Sequence, residues 1–189
     1  MESQKQLIKN ILIRFVSAYL GCILIGLIFY QLNIFDAKSW AFEFILYGAI
    51  TAIFFALLQT TTIRNAGAVY VVLIIIGQAV FPKPYDATFS LFWNILEYVV
   101  IGVVVYIYWR YTFSEGIKGI RPFLLAVYFM IAWVLISVVL RIYTNWYDGI
   151  AALIFSNARH GLIFGFGLGA GIETGDLLLK QDNTEIKET

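Results

Sequence analysis

The chain has 189 residues, 61% of them apolar and 13% charged, against roughly 45–50% and about 25% in a soluble domain. That composition speaks against a water-soluble fold, and a net charge of +1 gives neither the basic field expected of a nucleic-acid partner nor an acidic one. At about 20 residues per span, six spans take about 120 residues, and no separate soluble domain fits in the remainder.

Lys5, Lys9 and Arg14 precede an apolar run from Phe15 to about Tyr30 that continues through Leu32 and Ile34. The run is too long for a secretory signal and no small-x-small cleavage site follows it, so it reads as a retained first span. Apolar stretches broken by polar residues then predict spans at 11–34, 40–62, 66–81, 89–109, 122–142 and 150–172. Asp36, Lys38 and Ser39 make the first loop, and Arg64 with Asn65 the second. Pro82 and Pro84 interrupt the third junction by removing donors and biasing their neighbours away from helix. The fourth loop runs from Ser114 to Arg121, with Pro122 placed for a first helical turn, and Thr144 to Gly149 closes the fifth.

The expected fold is therefore all-α, a polytopic integral membrane bundle of six transmembrane helices with both termini cytoplasmic. Residues 1–179 form one helical domain and 180–189 a disordered polar tail. With the N-terminus inside, the inner segments hold nine basic residues and the outer loops only Lys38, Lys83 and Arg141. That asymmetry sets the orientation in the cell membrane. Trp40 and Trp146 fall at the outer boundary and Trp109 at the inner one, as in an aromatic belt. Two spans are weak: the third is short, and the sixth contains Asn157, Arg159 and His160, which leaves a re-entrant course open.

Ionisable groups inside a span cost about 2.5–3.5 kcal/mol on insertion scales and should face protein, water or a partner. Glu97 lies about 12 Å into the fourth span and shares a helical face with Ser90 and Asn94. Arg159 and His160 lie about 14–15 Å into the sixth span, which runs in the same direction. The matching depths predict that Glu97 pairs with Arg159 or His160 and that Asn94, Glu97, Arg159 and His160 form a polar intramembrane site. A purely structural ion pair fixing helix register is the plainer reading of the same residues. Glu43, Arg14 and Arg141 sit near helix ends and are expected to snorkel. Ser137 and Thr51 are expected to bond their own helix backbone.

The most specific pattern lies in the sixth span. Gly161, Gly165 and Gly169 recur at four-residue spacing on one side, and Gly167, Gly171 and Gly175 on another. Small-xxx-small registers let helices approach closely where no hydrophobic force acts between them, so this helix is expected between two neighbours. Ala18, Cys22 and Gly26 make a matching stripe on the first span. A flexible or gating helix is the other reading of so many glycines.

Chemistry is sparse. One cysteine and one histidine give no metal or haem ligand set, and no cofactor is expected. A thiol site of Cys22 with His160 and Arg159 is conceivable, but adjacent helical residues point about 100° apart, and a cysteine buried among apolar groups is inert. An enzyme is not the expected reading. The function expected is binding or translocation of a small solute or ion through the intramembrane site. The alternative is a non-transporting scaffold or accessory subunit of a larger membrane complex. The expected partners are the lipid bilayer and either another membrane subunit or a second copy of the chain, not nucleic acid.

Overall fold

A computed structural model describes residues 4–34, 40–60, 72, 103, 107, 119–144 and 149–188. Among the described residues every regular element is helical. In chain order these are α1 (Gln4–Gln31), a π-helical stretch (Trp40–Tyr47) running into α2 (Gly48–Thr60), α3 (Arg121–Thr144) and α4 (Ile150–Glu188). Stretches within α1, α3 and α4 are long and apolar enough to cross a membrane, with mean hydropathies of 2.3, 2.4 and 1.4; the apolar helix Phe44–Gln59 is shorter. These apolar helices suggest a membrane location. The expected spans at 66–81 and 89–109 lie outside the described residues apart from three positions, as do Asn94, Glu97 and Trp109.

Helix ends follow local chemistry. After α1, Asn33 takes a left-handed φ of 56°. Asn33 N–H then donates to the Tyr30 carbonyl at 2.9 Å, and Ile34 N–H to the Phe29 carbonyl at 3.0 Å. This paired closure is a Schellman cap, which uses up carbonyls a helix otherwise leaves open. At the start of α4, Gly149 (φ 70°) turns the chain, and its carbonyl accepts the Leu153 N–H at 3.0 Å. From there α4 is continuous, so the sixth segment does not turn back. It extends through Glu188, whereas the sequence reading ended order at 179. Leucine, lysine, glutamine and glutamate are good helix formers, and Asp176 stands four residues before Lys180, a spacing that favours continuation past the apolar stretch.

Packing centres on α4, which lies between α1 and α3. Its glycines meet neighbouring backbone directly: a Cβ placed on Gly165 would sit 2.5 Å from the Leu125 carbonyl oxygen, and one on Gly161 at 2.5 Å from that of Phe129. On the other side a Cβ on Gly167 would sit 2.9 Å from the Gly21 carbonyl oxygen, and one on Gly171 would collide with that of Ser17. Dispersion gained by such close approach replaces the hydrophobic force that an apolar surround cannot supply. Cys22 and Gly26 of α1 also receive the π-helix and α2: a Cβ on Gly48 would lie 3.0 Å from Cys22 Sγ, and Phe44 covers Gly26.

Rings fill the remaining interior. Phe164 is the hub, with centroids 4.9 Å from Phe129, 5.4 Å from Trp133 and 5.8 Å from Phe44, at tilted or edge-on angles that suit ring quadrupoles. The exposed faces of α1 and α3 are apolar too. Ile8, Leu12, Val16, Leu20, Leu24 and Ile28 form an exposed four-residue stripe on α1, and Phe123, Val127, Ile131, Leu135 and Val139 form another on α3. Exposed apolar surface of this extent marks a face that meets lipid or protein rather than water.

Candidate functional site

Polar side chains gather at the two ends of the apolar stretch of α4. Toward its start, Arg159 donates from Nη2 to the carbonyl of Ile34 at 3.1 Å, bracing the cap of α1. A cation there also meets the negative end of the α1 dipole. Arg159 has no carboxylate partner among the described residues, and its expected partner Glu97 lies outside them. Arg159 is level with the end of α1. The depth inferred from sequence was counted from Ile150, whereas the contact with Ile34 sets the level of Arg159 against α1. His160 follows, half-buried beside Gly161.

Two residues nearer the start of α4, Asn157 Nδ2 donates to Ser137 Oγ at 2.6 Å, and Ser137 Oγ donates to the Trp133 carbonyl at 2.7 Å. Ser137 thus bonds its own helix as expected and also ties α3 to α4. The side chains of Trp40, Glu43 and Arg141 lie outside the described ones.

At the other end, about 25 Å along α4 by helical rise, Asp176 is shared by two arginines. Arg121 Nη1 lies 2.9 Å from Oδ2 and Arg14 Nε 3.3 Å from Oδ1. Arg121 Nε is also 3.6 Å from Glu173 Oε1, which accepts the Gly119 N–H at 3.3 Å. Arg14 Nη1 reaches the Gln59 carbonyl at 3.0 Å. The cluster therefore joins α1, α2, α3 and α4, and the Arg121 side chain is only 5% exposed. Burying a guanidinium is tolerable because it is paired with two carboxylates and hydrogen-bonded to Asp176.

Beside this cluster opens a cleft of about 700 Å³, whose lining includes Arg14, Pro122, Ala170, Glu173, Asp176 and Lys180. A second hollow of about 230 Å³ is wholly apolar, with Ile25, Phe29, Phe123, Ala126, Leu162 and Phe166 among its walls.

Sequence reasoning expected Arg14 to snorkel; Arg14 instead turns to Asp176, because that carboxylate stands opposite it on α4. The same reasoning counted Arg121 and Lys180 only as topology charges and passed over Glu173 and Asp176. The available signal was their spacing: three residues apart they share a helical face, just past a glycine-rich span, where basic residues from other segments converge. The cysteine is buried, and its thiol lies 3.9 Å from the Phe44 carbonyl. Comparison with known protein families, curated proteins and solved structures finds no match for this chain.

Proposed function

We propose that this is a six-span membrane protein with cytoplasmic termini that serves as a rigid, non-conducting scaffold or accessory subunit. The orientation rests on charge and on where the helix ends meet. Gln59, near the end of α2, and Arg121, at the start of α3, both reach the Arg14–Asp176 cluster. The intervening chain leaves and returns at one end, which supports an even number of crossings and accommodates the two spans expected at 66–81 and 89–109. The concentration of basic residues supports that end as the cytoplasmic one.

The observation that carries the non-conducting reading is the close-packed seam along α4. Between Arg159 and Asp176 its glycines lie against the backbones of α1 and α3, and Phe164, Leu168 and Ile172 are buried between them. A helix locked on two sides by backbone contact has little room for a water-filled path or a gating rotation. Purified protein in liposomes should pass sodium, protons and small polar solutes no faster than protein-free liposomes. A flux that Glu97→Gln or Arg159→Gln abolishes would overturn the reading. It would establish the second one, passage of a solute or ion along Asn94, Glu97, Arg159 and His160.

A further inference from the structure

The charged cleft and the apolar hollow are two parts of one face. Ala170 lines the cleft and Phe166, one turn earlier on α4, lines the hollow; on α3, Pro122 lines the cleft and Phe123 the hollow. The Phe123 and Phe166 rings meet edge-on at 5.4 Å where the two parts join. Leu162, Phe166 and Ala170 recur every four residues on the side of α4 turned away from Phe164, Leu168 and Ile172, which face the core. A groove with a charged mouth and an apolar bed therefore runs along α4 between α1 and α3 among the described helices.

We propose that this groove is a phospholipid site, selective for a headgroup that carries a primary ammonium next to its phosphate. The proposal rests on the membrane-embedded reading above and goes beyond it. Both signs of charge line the mouth: Arg14 and Lys180 face the phosphate, and Glu173 faces the ammonium. Glu173 has the capacity, because its described contacts all fall on Oε1, while an ionised carboxylate accepts at both oxygens. A headgroup with negative charge alone would set that charge against Glu173 and Asp176. A quaternary ammonium is recognised by aromatic cages, and no described residue lining the mouth is aromatic. The bed below is apolar throughout and takes the first part of an acyl chain.

The test uses the full chain, purified in mild detergent, stripped of lipid and offered an equimolar mixture of phosphatidylethanolamine, phosphatidylcholine and phosphatidylglycerol, with retained lipid read by native mass spectrometry. Phosphatidylethanolamine should be retained about tenfold over each of the others, the preference one charge-assisted hydrogen bond supplies. Glu173→Gln should abolish that preference, and Lys180→Gln, at an exposed position that does not endanger folding, should lower ethanolamine-lipid retention. Leu162→Trp, which fills the bed, should reduce retention of all three. Equal retention of the three lipids, a preference for phosphatidylglycerol, or a preference unchanged in both charge variants would overturn the site. Carbonate extraction separates the two failures: protein released from membranes contradicts embedding itself, whereas retained protein indifferent to headgroup contradicts only the groove.

Discussion

The two ends of the apolar stretch of α4 use their charges differently. At the Asp176 end, two arginines and two carboxylates pair with one another and pin four helices together. At the Arg159 end, one guanidinium closes a helix cap through a carbonyl, and a neutral Asn157–Ser137 bond joins α3 to α4. Between them the contacts are glycine, backbone and rings. The separation of about 25 Å is near the thickness of a bilayer's hydrocarbon core, about 30 Å. Charge in such a chain is stable where it is paired or where it meets open helix carbonyls, and the stretch between must hold by shape alone.

Substitutions that attack the seam or either end test this contrast, and unfolding in detergent gives their cost. The largest effect is expected in the seam: Gly171→Leu forces a side chain into the Ser17 carbonyl and should destabilise by about 3 kcal/mol or prevent folding. Asp176→Asn should cost about 2 kcal/mol, because it weakens the bonds of a buried guanidinium. Asn157→Leu, at the opposite end, should cost only about 0.6–1 kcal/mol, the scale of one interhelical hydrogen bond in a membrane bundle. Arg159→Gln should cost less again, about 0.5 kcal/mol, as the loss of a charge at a helix terminus. A loss at Arg159 as large as that at Asp176 would break the contrast. It would indicate a carboxylate at Arg159, and the double variant with Glu97→Gln would then fall short of additivity.

The last effect has the opposite sign. The Gln59 side-chain amide is buried without a hydrogen bond among the described residues. Gln59→Leu should therefore be neutral or stabilising by up to about 1 kcal/mol.

How much of this was legible in the sequence depended on the kind of signal. The glycine registers at 161/165/169 and 167/171/175 are periodic, and periodicity translates directly into helix faces. The structure sets those faces against α3 and α1, next to the Ala18–Cys22 stripe. The ends of α1, α3 and α4 were legible in part, because Pro122, Gly149 and the apolar runs mark them locally. The contact of Arg159 with the end of α1 was not, since it depends on how far one helix overhangs another, and hydropathy along a single chain carries no such information. The Asp176 cluster was missed for a related reason: its members come from residues 14, 121, 173 and 176, and only the packing of three helices makes them neighbours.

The central claim is that α4 crosses the membrane once as a dry strut, with Arg159 and Asp176 at opposite faces. In a Cys22→Ala background, which removes the only native thiol, single cysteines at the exposed positions Ala151 and Gln181 can be labelled in intact cells with a membrane-impermeant maleimide. Ala151→Cys should label in intact cells and Gln181→Cys only after lysis. Labelling of both from the same side would contradict the account.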